Sequence, residues 1–128
     1  MTADLTLHPL FTEKPVGRQA DFFRSKADGR WCICGNRAGK TRALLREVGW
    51  WATGLHPYRD VPDVTDGWVI TLDRDFAIST LLPILLEFIP AQFVAKVEKG
   101  DVCRGRLKSG SSVTFRTYAQ GWTKFQGA

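Results

Sequence analysis

The stretch WCICGNRAGKT, residues 31–41, decides how the rest of the chain is interpreted. Its first four residues form a continuously apolar run, which is typical of a strand buried in a parallel sheet. Residues 35–39 have the composition of a loop, and residues 40–53 have the apolar spacing of a helix. The apolar residues predicted to face the core together on this helix are Leu44, Val48 and Trp51. The stretch therefore predicts a strand that passes through a tight loop into a helix ending at Gly54.

A loop of this kind between a strand and a helix suits the binding of phosphate groups. Glycines let successive backbone N–H groups turn inward around phosphate oxygens, and the helix N-terminus adds its own N–H groups and positive dipole end. Lys40 is predicted to reach the β- and γ-phosphates, and the Thr41 hydroxyl to ligate Mg²⁺. The common pattern G-x-x-x-x-G-K-[ST] has glycine where this chain has Cys34, and Gly35 supplies the backbone freedom one residue later.

The predicted ligands of ATP and Mg²⁺ extend over the whole loop and the helix start. The residues predicted to bind nucleotide here are Gly35, Asn36, Arg37, Ala38, Gly39, Lys40, Thr41 and Arg42. Lys40 and Arg37 are also predicted to stabilise charge during phosphoryl transfer. The alternative for Arg37 is a solvated loop arginine. The alternative for the whole motif is a strand–turn–helix junction with an incidental Gly-Lys-Thr.

The flanking sequence predicts an α/β fold with a parallel sheet. Residues 1–17 are interpreted as an extended N-terminal arm, and residues 18–26 as a short helix. A second buried strand is predicted at residues 68–72, followed by a helix at 76–88 that is interrupted near Pro83. The remainder predicts strands, with a turn at Ser109-Gly110 before a strand at 112–117. Thr71, Asp73 and Arg74 follow the second strand and are predicted either to contact a ligand or to form a loop with a helix N-cap.

The composition is that of an ordinary globular domain with a basic balance. The chain has 128 residues and a formal net charge of +5, which suits nucleotide phosphate or nucleic acid as a partner. No apolar run is long enough to cross a membrane, and residues 1–11 lack the features of a secretory signal, so an intracellular protein is expected. The three cysteines are predicted to be buried free thiols. Trp50, Trp51 and Trp68 are predicted to pack in core elements.

The loop residues resemble those of one family, the large terminase subunit of tailed phages. GNRAGKT at residues 35–41 resembles that family's variant P-loop, and Pro15 with QADF at 19–22 resembles the segment in which a glutamine, here Gln19, contacts adenine. GSSVTF at 110–115 and FQGA at 125–128 resemble the stretch that leads to the family's Walker B strand. The resemblance spans residues 9–128 in the same order.

This resemblance implies an incomplete P-loop NTPase fold of the ASCE type, with three layers and a mainly parallel sheet. Residues 18–128 would be the N-terminal part of the ATPase domain, truncated before the Walker B strand and therefore unable to hydrolyse ATP alone. The function implied is ATP binding in the motor that moves viral DNA into the procapsid. The implied partners are ATP, double-stranded DNA, the small terminase subunit and the portal protein, in the cytoplasm of a bacterial host, with no membrane.

The sequence is also compatible with two other functions. The chain could belong to another P-loop ATPase, such as a helicase-like relative. It could instead be a basic, non-catalytic module that binds nucleic acid through its Lys and Arg side chains.

Overall fold

The computed structural model describes residues 8–14, 19–30, 40–71, 73–100 and 102–117. The helices are α1 (Pro9–Thr12), α2 (Gln19–Arg24), α3 (Lys40–Thr53), α4 (Arg74–Phe76) and α5 (Leu82–Phe88). The strands are β1 (Asp66–Thr71), β2 (Val94–Lys99), β3 (Cys103–Leu107) and β4 (Ser112–Thr117). The predicted strand at residues 31–34, with Cys32 and Cys34, lies outside the described residues.

The described strands form one open, mixed sheet in the order β1-β4-β3-β2. β1 and β4 are parallel, whereas β3 is antiparallel to both β4 and β2. The predicted turn at Ser109-Gly110 joins β3 to β4, and Gly110 adopts a φ of 98°, which glycine tolerates best. The α/β class is therefore confirmed, with a sheet that is only partly parallel among the described strands.

Helices cover one face of this sheet and share a core with it. The contacts of α3 extend to both α1 and α5 as well as to β1 and β4. The core comprises Leu10, Phe23, Ala43, Leu45, Trp50, Ala52, Ala77, Leu81, Leu82, Leu85, Phe88, Ile89, Cys103, Leu107, Val113 and Phe115. The prediction that Cys103 is buried is confirmed.

The first described segment is not the extended chain predicted from the sequence. Pro9 occupies the first turn of α1, where its fixed φ suits a helix and its missing N–H is not needed. The His8 side chain caps this turn by accepting the Leu10 N–H at Nδ1, 3.1 Å away. Leu10 is fully buried, so α1 is part of the core.

The end of α3 follows the sequence prediction, and of the residues predicted to face the core, Val48 packs against it whereas Leu44 does not. Leu55 N–H donates to the Trp50 carbonyl and Gly54 N–H to the Trp51 carbonyl, with Gly54 at a φ of 74°, as in a Schellman ending. Leu44, predicted to face the core, is 42% exposed. The buried residues of the helix are Ala43, Leu45, Arg46, Glu47, Gly49, Trp50 and Ala52. Polar Arg46 and Glu47 are buried because they have internal hydrogen-bond partners, which a hydrophobic pattern does not reveal.

The predicted helix after β1 is interrupted as expected near Pro83. A π-helical turn (Ala77–Leu81) joins α4 to α5, and the Leu82 N–H donates to the Ala77 carbonyl five residues earlier. Pro83 has no N–H, so the regular hydrogen-bond pattern cannot continue through it.

Trp68 on β1 departs from the prediction that it packs in the core. Its side chain is 38% exposed, and the Arg116 guanidinium lies 4.8 Å from the ring centroid. Trp68 is on the sheet face opposite α3, because its neighbours Gly67 and Val69 pair with the core residues Val113 and Phe115.

Candidate functional site

Of the predicted phosphate-binding residues, the structure describes the three that begin α3. Lys40 is the first residue of this 14-residue helix, and Thr41 and Arg42 follow it. The predicted ligands that lie outside the described residues are Gly35, Asn36, Arg37, Ala38 and Gly39. The structure confirms that Lys40, Thr41 and Arg42 are helical, as the Gly-Lys-Thr motif predicts.

The first turn of α3 has the electrostatic character of an anion-binding helix start. The first N–H groups of a helix have no partner within the helix, and the aligned peptide dipoles place partial positive charge there. This turn contains no acidic side chain, while Lys40 and Arg42 are basic. Lys40 and Thr41 are both half-buried, so both side chains retain access to solvent.

The described contacts of α3 with the start of the sheet involve the second half of the helix. The second half of the helix lies over the amino ends of both strands, where it lines a cavity of about 480 Å³ with Asp66 and Ser112. The Thr65 hydroxyl, just before β1, donates to the Trp51 carbonyl over 3.2 Å. Since α3 rises by about 1.5 Å per residue, Lys40 lies about 17 Å along the axis from Trp51.

The Arg42 guanidinium is engaged by two carboxylates from other elements. Its Nη2 donates to Glu13 Oε1 over 2.5 Å, and its Nη1 donates to Glu87 Oε2 over 3.0 Å. The guanidinium also lies 4.9 Å from the ring centroid of Phe88. The hydrogen bond to Glu13 is the main reason that the pKa of Arg42 is raised above its ordinary value. Sequence reasoning missed these contacts because the partners are 29 and 45 residues away along the chain.

Gln19, the predicted adenine contact, begins α2. Phe23 of the same helix packs edge-on against Trp50 of α3, with ring centroids 4.8 Å apart. The Arg46 guanidinium lies 5.5 Å from the Phe23 ring centroid. These contacts fix α2 against α3, and whether Gln19 contacts a base remains a prediction.

A buried polar cluster in the middle of α3 was not predicted from the sequence. Glu47 Oε1 accepts hydrogen bonds from Arg30, from Trp51 Nε1 at 3.1 Å, and from His56 Nε2 at 2.9 Å. The Tyr58 N–H donates to His56 Nδ1 over 3.1 Å, so Nδ1 is unprotonated and Nε2 carries the proton. Within the described ranges, Glu47 Oε2 has no hydrogen-bond partner. This cluster joins α3 to the segments on both of its sides, and its contacts are structural.

The residues that follow β1 make structural contacts rather than converging on a cleft. The Asp73 carboxylate accepts the Phe76 N–H over 2.7 Å and caps α4, which is the N-cap that the sequence allowed as an alternative. Arg74 donates to the carbonyls of Lys99 and Gly100 in the β2–β3 turn. Asp73 and Arg74 thus support α4 and the hairpin.

No group of three or more His, Cys, Asp or Glu side chains among the described residues has the arrangement of a metal site. A Mg²⁺ ion bound by the Thr41 hydroxyl would need only that ligand from this helix, because nucleotide phosphates and waters supply the others. The described helices include none with the length and apolar character to span a bilayer.

Comparison of the chain with protein-family models, with curated proteins and with solved structures gives no match.

Proposed function

We propose that this chain carries the ATP-binding N-terminal segment of a large terminase subunit, the motor that moves viral DNA into a procapsid. The observation that carries the proposal is the placement of Lys40 and Thr41. They lie in the first described turn of a long helix, and this turn is basic. The GNRAGKT motif meets that helix at the position that phosphate binding requires.

In this proposal the loop residues and the first turn of α3 bind the nucleotide phosphates together. Backbone N–H groups of residues 35–39 surround the phosphate oxygens, and Lys40 contributes a positive charge to the β- and γ-phosphates. Thr41 provides a hydroxyl ligand to Mg²⁺, which supplies charge neutralisation at the phosphates. Arg37 stabilises the charge that develops during transfer, and Gln19 contacts the base.

The two edge strands of the described sheet, β1 and β2, differ in their capacity to pair with a further strand. A P-loop NTPase fold of three layers requires the sheet to continue beyond β1. β2 has two lysines, Lys96 and Lys99, and an irregular register between Val94 and Lys96. These are features that prevent a further strand from pairing. β1, with the sequence DGWVIT, has neither lysine nor proline and pairs in regular register with β4.

Hydrolysis of ATP needs carboxylates that the described residues do not bring together. Phosphoryl transfer to water requires a carboxylate for Mg²⁺ and another group that orients the water. The sequence contains no adjacent Asp-Glu pair, and Asp73, which follows β1, is used to cap α4. We therefore propose binding of Mg-ATP with negligible turnover by these residues alone. In the complete motor the partners would be double-stranded DNA, the small terminase subunit and the portal protein, in the host cytoplasm.

The proposal is tested by titrating the chain with Mg-ATP in a calorimeter, alongside the Lys40→Ala variant. Loss of the Lys40 charge is expected to weaken binding at least tenfold, which corresponds to about 1.4 kcal/mol. Lys96→Ala is the matched control, because it removes the same charge from the exposed outer strand β2. Mg-ATP is also expected to raise the melting temperature of the wild type and of Lys96→Ala.

Two results would contradict the proposal. One is equal affinity in Lys40→Ala and the wild type, which would exclude the phosphate-binding helix start. The other is the absence of Mg-ATP binding combined with salt-sensitive binding to DNA, which would favour the basic nucleic-acid-binding module.

A further inference from the structure

Arg42 is the residue of the candidate site whose surroundings differ most from the sequence expectation. A nucleotide ligand needs a guanidinium that is available to phosphate oxygens. The Arg42 guanidinium instead uses Nε and Nη2 for Glu13 and Nη1 for Glu87, and it stacks on Phe88. The two carboxylates occupy N–H groups on both sides of the guanidinium, so Arg42 has fewer donors to offer to phosphate oxygens.

The two carboxylate partners are themselves fixed in place. Arg46, one turn after Arg42 on α3, donates through Nη1 to the Glu13 carbonyl over 2.7 Å and through Nε to the Leu10 carbonyl over 3.0 Å. Trp50 Nε1 also donates to the Leu10 carbonyl, over 3.1 Å. Glu87 precedes the fully buried Phe88 on α5. Arg42 therefore connects the first turn of α3 to two anchored elements, the end of α1 and the end of α5.

Resting on the proposed function, we infer that Arg42 is a positioning residue for the phosphate site and not a nucleotide ligand. Its bonds to Glu13 and Glu87 hold the first turn of α3, and with it Lys40 and Thr41, in the orientation that phosphate binding needs. Small displacements of such groups weaken binding, because the phosphate oxygens require donors at fixed positions. Glu13 and Glu87 belong to the same arrangement, although neither touches the nucleotide.

The exposure of these side chains makes the inference testable with folded variants. Arg42, Glu13 and Glu87 have side chains that are 39%, 33% and 55% exposed. Solvent screens ion pairs of this kind, so they contribute little to global stability. Effects of their substitution on nucleotide binding can then be separated from effects on folding.

The experiment compares the wild type with Arg42→Lys and Glu13→Gln, by calorimetric titration with Mg-ATP and by amide hydrogen exchange without nucleotide. Both variants are expected to weaken Mg-ATP binding by about three- to tenfold at an unchanged melting temperature. Both are also expected to speed exchange in the first turns of α3. Arg42→Lys keeps the charge and loses the two-pronged geometry, so it separates position from charge. Glu98→Gln is the matched control, because it weakens the similar exposed Glu98–Arg106 pair on the β2–β3 hairpin.

Other roles for Arg42 predict different changes in Mg-ATP affinity. If Arg42 is a phosphate ligand that the carboxylates restrain, Glu13→Gln would tighten Mg-ATP binding, and the inference would be wrong. If affinity is unchanged in both variants while Lys40→Ala loses binding, the proposed function stands and the positioning role is overturned. If no form of the chain binds Mg-ATP, the proposed function fails, and unchanged amide exchange in Glu13→Gln would overturn the positioning role separately.

Discussion

At the scale of single residues, the three hydrogen bonds that converge on Glu47 Oε1 contribute more to stability than the exposed ion pairs. The Glu47 side chain is 9% exposed and that of Arg30 is 12% exposed. Glu47→Ala would leave the Arg30 charge, the His56 N–H and the Trp51 N–H without their acceptor. Because removing one partner of a buried ion pair leaves an uncompensated charge, we expect a loss of about 3–5 kcal/mol in urea unfolding.

Two further variants separate the effects of charge, hydrogen bonding and burial on the expected loss of stability. Glu47→Gln keeps an acceptor oxygen and removes only the charge, so its loss is expected to be smaller. Glu98→Ala, on the exposed hairpin, is expected to be indistinguishable from the wild type. Equal effects of Glu47→Ala and Glu98→Ala would show that burial of the cluster does not determine its contribution.

At the scale of elements, the capping of α1 by His8 makes this helix sensitive to pH. Burial lowers the pKa of His8 below its ordinary value of 6.5, and its unprotonated Nδ1 accepts the Leu10 N–H. The folded state therefore favours neutral His8, and the unfolded state binds its proton first as the pH falls. The contribution of His8 to stability is complete above pH 6.5 and is lost as the pH falls through the lowered pKa.

We therefore expect exchange of the Leu10 amide, corrected for its intrinsic rate, to accelerate between pH 7.5 and pH 5 by about threefold or more. The variant His8→Asn keeps a capping acceptor that does not titrate in this range, so its corrected exchange should not change. A wild-type rate that stays constant across this range would mean that His8 does not cap α1 in solution.

The packing of α3 against α5 depends on the absence of a side chain at Gly49. A Cβ at this position would lie 3.2 Å from the Phe88 carbonyl oxygen and 3.3 Å from the Leu10 side chain. Gly49→Ala gains helix propensity of about 0.5–1 kcal/mol but overpacks a buried contact, which typically costs about 1–3 kcal/mol. We expect a net loss of about 1 kcal/mol in urea unfolding. Leu44→Ala, on the exposed side of the same helix, should change stability by less than about 0.5 kcal/mol.

The boundaries of the elements were more predictable than their buried faces. Gly54, Asp73 and Pro83 act locally, through positive φ, side-chain capping and a missing N–H, and local chemistry can be inferred from neighbouring residues. The prediction for the buried face of α3 was wrong at Leu44, because apolar residues surround most of this helix, whereas Val48 packs against the core. Burial of Arg46 depends on carbonyls of Leu10 and Glu13, which a helical pattern cannot identify.

At the scale of the whole molecule, the candidate site also combines features set by neighbouring residues with features set by residues distant in sequence. The motif at residues 35–41 predicted that Lys40 and Thr41 begin a helix, because a phosphate-binding loop and its helix are adjacent in sequence. The partners of Arg42 come from the end of α1 and the end of α5, and only the folded chain brings them together. The parallel pairing of β1 with β4 likewise follows from the path of the chain through α4, α5 and the hairpin.

One core joins α1, α2, α3 and α5 to the four strands, so the chain is expected to unfold in a single cooperative transition. The core extends from Leu10 in α1 to Phe115 in β4, and the hairpin contributes Cys103 and Leu107. A hairpin separated from this core would be marginally stable, and chains of this length usually unfold in two states. Tryptophan fluorescence, to which Trp50 in α3 and Trp68 in β1 both contribute, and far-UV circular dichroism should therefore give the same urea midpoint. Gly49→Ala should lower both midpoints equally, whereas a dichroism transition that persists beyond the fluorescence change would contradict a single cooperative transition.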